Sequence, residues 1–345
     1  MRRFSPPFVI GLLVFLLPLV VIFAIGTGTV NISIDEILRA IMALLPSGSA
    51  SASSQASTIL FDIRLPRVLL ALCLGAILAI SGAVMQGLFR NPLADPSLIG
   101  VSGGASVGAS MVIVMAGGWV QSSAALGLSA VAMGAFTGGF IATILVYRLA
   151  TSNIGTSVTT MLLAGIAIGA IAGALNSLLS YFADNDMLRQ MSLWQMGNLS
   201  TANWSRVAII AAVAVLLVGL FPRDSRALNA LLLGESEARH LGIDVQRVKR
   251  RLIVLTALGI GTSVAMAGMI GFVGLVIPHA IRLLIGPDHR WLLPGSALAG
   301  AILLIVADSL ARVVVAPTEL PTGILTALLG APFFVALLIQ RRREI

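Results

Sequence analysis

Between Pro96 and Tyr147 the chain carries no Asp, Glu, Lys or Arg. A soluble domain carries about 25% charged residues, so a run this long without one belongs in a membrane. A helix crosses the hydrocarbon core with about 20 apolar residues. The run therefore holds two crossings, with a break expected near Gly117-Gly118-Trp119. A second uncharged run, Leu149–Ala183, holds another. The rest of the chain follows suit: of 345 residues, 58% are hydrophobic and 10% charged. The fold class is all-α, a polytopic membrane protein folded as one transmembrane domain over 1–345.

Ten transmembrane helices are expected. Phe8–Ile25 follows Arg2 and Arg3 and is longer than the core of a cleaved signal peptide, so it is read as a retained first span. An external loop, 26–67, follows, with a short interfacial helix at Ile32–Leu44 and a flexible Ser/Ala-rich patch at Ser47–Ser57. Val68–Gln86 is the second span, and Arg90–Pro96 is a turn with two prolines. Beyond the fifth span lies a second external loop, 184–206. The sixth and seventh spans, Val207–Pro222 and Leu252–Gly271, flank a cytoplasmic loop, 223–251. Pro278–Ile285 is too short to cross and reads as a half-helix starting at membrane depth, tolerated only where protein or a wet cavity surrounds it. Trp291–Val315 and Thr322–Ile339 complete the set.

Charge supports this count. With both termini cytoplasmic, 16 of the 22 Lys and Arg residues fall inside. Arg39, Arg64, Arg67, Arg189, Arg206 and Arg312 fall outside. Basic loops stay cytoplasmic, and adding or dropping one span would reverse half of them. The net charge of +8 is thereby explained without a nucleic-acid partner. The single cysteine, Cys73, allows no disulfide within the chain and no cysteine metal site. Glycines spaced at four (Gly100, Gly104, Gly108; Gly134, Gly138; Gly165, Gly169, Gly173) let helix backbones approach closely.

The loop 223–251 contains an amphipathic segment, Leu231–Leu241, closed by Gly242. Leu231, Leu232, Ala238 and Leu241 can share one face, with Glu235, Glu237, Arg239 and His240 on the others. Such a segment is either a docking surface or a connector resting on lipid headgroups. Asp308 is the main intramembrane carboxylate. Arg312 lies four residues on, the spacing of a local helical pair, and that pairing is the preferred reading. His240, His279 and His289 share no spacing that grips a metal, and none is expected to ligate haem. A phosphate-binding loop needs Gly-x-x-x-x-Gly-Lys-Ser/Thr, but the one lysine, Lys249, follows Val248. No HExxH motif or intramembrane acid pair is present, so the chain is not expected to be an enzyme.

Several long segments occur together and in order: RLPR at Arg64–Arg67, GAVMQGLFRNPLADPSLIGVSGGASVGA at Gly82–Ala109, GESEARHLGI at Gly234–Ile243, GFVGLVIPHAIRLLIGPDHRWLLPGSALAGA at Gly271–Ala301, and ELPTGILTALLGAPFF at Glu319–Phe334. They resemble the FecCD-like (type II) permease subunits of bacterial ABC importers for iron–siderophores, haem and vitamin B12. The resemblance implies a permease working as a dimer with a second copy of itself in the inner membrane. It also implies two cytoplasmic ATPase subunits that use ATP, and a periplasmic substrate-binding protein. Gly234, Glu235, Ala238, Arg239, Leu241 and Gly242 then form the ATPase-coupling helix. Arg64, Arg67 and Arg312 then ring the outer mouth and hold glutamates of the binding protein through exposed ion pairs. Without the resemblance, Arg64 and Arg67 read as interfacial anchors. The Met- and Trp-bearing stretch Asp184–Asn198 most resembles the haem branch, making haem the expected transported substrate, with a ferric siderophore or vitamin B12 next. No permanently bound cofactor or metal is expected. The rivals of a different class are a proton-coupled secondary carrier using Asp308 and a passive channel.

Overall fold

The computed structural model describes residues 4–28, 54–115, 124–152 and 155–342. The expected helix at Ile32–Leu44 and the break at Gly117–Trp119 lie outside the described residues. Of the Ser/Ala patch, the end is helical, in Ser54–Thr58.

Among the described residues, seven helices are long and apolar enough to cross a membrane. They are α1 (Pro6–Gly26), α2 (Ile59–Leu88), Leu128–Ala150 within α4 (Ala124–Ala150), α5 (Val158–Phe182), α7 (Trp204–Leu220, continued to Leu233), α10 (Val245–Ala267) and α12 (His289–Val313). Three shorter apolar stretches join them: α3 (Val101–Met115), α11 (Val273–Ile285) and Thr322–Val335 within α13 (Thr322–Arg342). Between the long helices lie α6 (Asn185–Gln195), α8 (Ser225–Leu233) and α9 (Glu235–His240).

The bundle is built around α2, whose apolar window is 89% buried. Its Ala- and Gly-rich sequence allows that. At Gly75 an added methyl would overlap the Gly300 carbonyl of α12, and at Gly82 the Gly274 carbonyl of α11. Small residues bring the backbones together where no hydrophobic effect operates between helices in lipid. The same device joins α3 to α4, where Gly104 faces Gly138 and Gly108 faces Gly134. The third glycine run differs: among the described residues, a methyl added at Gly169 or Gly173 on α5 would meet nothing.

Three expected boundaries move. The helix α2 starts at Ile59, not Val68, with a π-helical first stretch Ile59–Arg64, so Arg64 and Arg67 lie within it. The helix α10 starts at Val245, capped by Asp244, whose carboxylate accepts from the Arg247 N–H at 3.0 Å. Lys249, Arg250 and Arg251 therefore ride on a helix, not in a loop. The half-helix expected at Pro278 begins at Val273, with the proline inside it. Proline lacks an N–H and leaves the carbonyl four residues before it unpaired. That carbonyl belongs to Gly274, and the Gln86 amide of α2 donates to it at 3.4 Å and to Leu275 O at 3.1 Å. The freed carbonyl is thus satisfied from across the Gly82 contact.

Candidate functional site

Two groups of residues singled out in the sequence come together as structural units. The first is the segment after α8. Gly234 has φ 129° and ψ 157°, a conformation that only glycine adopts readily. It ends α8 and starts α9, so the single amphipathic helix expected over Leu231–Leu241 is two helices meeting at an angle. The expected shared face is split: Leu231 and Ala238 are buried, whereas Leu232 and Leu241 are exposed, Leu241 at 65%. Gly242, at φ 79°, closes α9 as the sequence led one to expect. Ile243 N–H donates to Ala238 O at 3.0 Å and Gly242 N–H to Arg239 O at 2.9 Å, the paired bonds of a Schellman stop. Ser236, Glu237, Arg239, His240 and Leu241 form the free surface.

Glu235 points the other way. Its Oε1 accepts from Lys249 Nζ at 2.6 Å, and Arg239 approaches its other oxygen at 3.8 Å. Lys249 is almost fully buried, and its Nζ also donates to Thr156 O at 2.9 Å. Nothing in the sequence marked Lys249 beyond its being the one lysine, because Thr156 is 93 positions away. The neighbouring ends are also tied: Arg251 pairs with Asp224, and Asn229 of α8 donates to Asp288 at 2.6 Å while accepting from His289 N–H at 2.9 Å. Asp288 is outside the spans. Partial burial works against its ionised form, yet the Arg290 N–H and the Asn229 amide hold its carboxyl below the ordinary value.

The second unit is the arginine cluster. Arg64, Arg67 and Arg312 were expected to be exposed, but each is 4% exposed. The reason is their partners. Arg67 Nε donates to both oxygens of Asp308 at 3.0 Å, and its Nη1 to Glu319 Oε2 at 2.7 Å. Arg312 Nε lies 3.3 Å from Asp308 Oδ2, the local pair that the spacing predicted. Thr322 Oγ1 adds a donor to Asp308 at 3.1 Å. Guanidinium nitrogens of Arg64 and Arg312 cap the C-terminus of α1. Arg64 Nη1 donates to Ile25 O at 2.8 Å and Gly26 O at 3.1 Å, and Arg312 to Ala24 O at 3.0 Å and Thr27 O at 2.9 Å. The last carbonyls of a helix lack partners and carry its negative dipole end, which cations complement. A cavity of about 120 Å³ opens here, lined by the three arginines, Glu319, Gly28, Ile59 and Ile63.

The stretch Asp184–Asn198 forms α6, N-capped by Asp184, which accepts from Met187 N–H at 2.8 Å. Its methionines do not form a row: Met191 is buried and Met196 exposed. Trp194, Gln190, Asn198, Arg206 and Met266 line a cleft of about 280 Å³ beside it. Among the described residues, no His, Cys, Asp and Glu cluster could hold a metal ion.

The family model described as the FecCD transport family matches residues 16–340. The chain belongs to that family. It is a multi-pass transport permease of the ABC importer type, not itself the enzyme of such a machine. Relatives of this FecCD permease include the hemin transport system permease protein HmuU of Yersinia pestis, 44% identical over 99% of this chain and 98% of that one. The vitamin B12 import system permease protein BtuC of Salmonella schwarzengrund is 45% identical over 84% of this chain and 86% of its own. The cobalamin import permease of Halobacterium salinarum is 46% identical over 83% and 74%. A solved inward-facing structure, assigned to the metal-chelate type of ABC transporters, superposes with a TM-score of 0.82 at 32% identity, covering 97% of this chain and 99% of that one. PsaBC from Streptococcus pneumoniae, at 20% identity over 78% of this chain and 88% of its own and a TM-score of 0.51, shares the fold alone.

Proposed function

We propose that this chain is the haem permease of an ATP-driven importer in the bacterial inner membrane. Coverage carries the choice of cargo. The hemin permease aligns over 99% of this chain, whereas the Salmonella vitamin B12 permease, at nearly the same identity, aligns over 84%. Vitamin B12 is the second reading, since the identities themselves, 44% and 45%, do not separate the two.

In this reading the chain makes ten passes, with α11 as a half-helix at membrane depth in one of them, both termini are cytoplasmic, and 1–345 acts as one permease domain. A second copy of the chain packs against α5. Two observations support that. Only 17% of the α5 window is buried, and the helix leaves Gly169, Gly173, Ser177 and Tyr181 uncovered. The helix α1 is as open but shows Phe8, Leu12, Phe15, Leu19 and Ile22, a surface suited to lipid. The exposed surface of Gly234–Gly242, with Arg239 and Leu241, meets an ATPase subunit on the cytoplasmic side, one per permease. A periplasmic binding protein docks over the end holding Arg64, Arg67 and Arg312. Three arginines face two carboxylates there, Asp308 and Glu319, and the surplus positive charge favours an acidic docking surface. Both Asp308 oxygens are engaged by Arg67, Arg312 and Thr322, which leaves a proton relay through Asp308 without support.

The test of cargo is competition. Uptake of labelled haem by the reconstituted complex should be suppressed by unlabelled haem and left unchanged by cyanocobalamin or a ferric siderophore. Suppression by cyanocobalamin alone would move the assignment to vitamin B12.

A further inference from the structure

We infer that Lys249 is the positioning residue through which the ATPase-contacting segment holds the start of α5. The inference rests on the coupling reading of Gly234–Gly242 and goes beyond it by naming the route onward into the bundle. Its basis is a three-way contact. Lys249 Nζ bridges Glu235 Oε1 of α9 at 2.6 Å and the Thr156 carbonyl at 2.9 Å. Gln246, one turn earlier on α10, accepts from the Thr156 N–H at 3.0 Å. Both backbone polar groups of Thr156 are thus gripped by two side chains at i and i+3 of one helix. The fit is close: at Gly155, φ 125°, an added methyl would overlap the Gln246 amide. Ser157 follows at once and caps α5, accepting from Thr160 N–H at 3.3 Å. The path from α9 to α5 therefore runs Glu235, Lys249, Thr156, Ser157 through direct contacts.

Packing alone does not call for this pair. A buried ion pair can usually be replaced by apolar residues without loss of stability, whereas a charged contact fixes one register between two elements. Here the two elements differ in freedom. The α10 window is 67% buried, that of α5 only 17%. A displacement of α9 passed to Lys249 therefore reaches the helix less tied to its own chain, the one that meets the second copy in the proposed dimer.

The test uses the assembled permease, ATPase and binding protein in proteoliposomes, with haem as the probe and ATP hydrolysis counted beside uptake. Lys249→Met keeps the buried stem and leaves Glu235, 31% exposed, to water. Uptake per ATP should fall about tenfold, the range of a lost coupling contact, with the ATPase still bound. Lys249→Arg, which reaches both acceptors, should restore most of it. Glu235→Gln should show a similar loss, and adding it to Lys249→Met should cost little more, as for two residues acting through one contact. Unchanged uptake per ATP in Lys249→Met would overturn the inference, as would equal loss in Lys249→Arg. Should Lys249→Met fail to assemble, Glu235→Gln measured against Lys249→Arg decides by the same ratio. A wild-type complex that hydrolyses ATP but takes up no haem counts against the cargo alone, and the ratio is then read with cyanocobalamin.

Discussion

Asp308 receives Arg67, Arg312 and Thr322 in a site where it is 1% exposed. Removing one partner of a buried ion pair strands the others in a dry site, at a cost of about 3–5 kcal/mol. Asp308→Ala should therefore lower the thermal midpoint of the purified permease sharply. Glu319 is 33% exposed, and losing its pair with Arg67 should cost about 0–1 kcal/mol. Equal midpoints for Asp308→Ala and Glu319→Gln would contradict the cluster as described. The burial also changes what arginine substitutions can report. Replacing Arg64, Arg67 and Arg312 together should harm folding before it harms docking, so docking is better probed from the binding protein's acidic residues. Half of this cluster was legible in the sequence. Arg312 lies four residues from Asp308, a spacing any helix turns into contact. Arg67 reaches Asp308 across 241 positions, and no local pattern carries that.

At the scale of elements, glycine decides where helices end and how closely they meet. Gly234 divides the segment proposed to meet the ATPase, and the division changes which substitution is informative. Ala238 is fully buried, so Ala238→Asp should disrupt α9 itself. Leu241 is exposed, so Leu241→Asp should leave the stability within about 0.5 kcal/mol of wild type while weakening ATPase association about tenfold. Retention of the ATPase by Leu241→Asp in gel filtration would reject that surface. Gly82 makes the contact between α2 and α11, where any side chain meets the Gly274 backbone. Gly82→Leu should separate those helices and free Gln86 from the Pro278 kink, costing about 1–3 kcal/mol as an overpacked core does. A thermal midpoint equal to wild type would show that the two helices do not meet there. The sequence read Pro278 as a helix start because proline commonly is one. The Gln86 amide that lets the helix continue lies on another element, 188 positions from the Gly274 carbonyl it reaches.

At the scale of the whole molecule, the long apolar runs were readable because hydrocarbon admits few alternatives to a continuous helix. The helices α1, α5, α7 and α12 fall where composition put them. Of the three boundaries that moved, those of α2 and α10 lie where buried charged residues extend an apolar helix, and that of α11 where Gln86 satisfies the carbonyl freed by Pro278. Arg64, Arg67 and Lys249 look like loop residues until their partners are known. What the sequence could not carry is the joining of distant ends, Lys249 to Thr156 and Arg67 to Asp308, on which the transport reading turns. That reading makes one demand on the assembled protein: movement of cargo must follow ATP and not an ion gradient. The decisive measurement is haem uptake into proteoliposomes holding the permease–ATPase complex. ATP is enclosed with the coupling segment, and haem-loaded binding protein is supplied on the opposite side. The account predicts uptake that requires both ATP and the binding protein and is indifferent to a pH gradient. Uptake driven by a pH gradient without ATP, and abolished by Asp308→Asn, would contradict it.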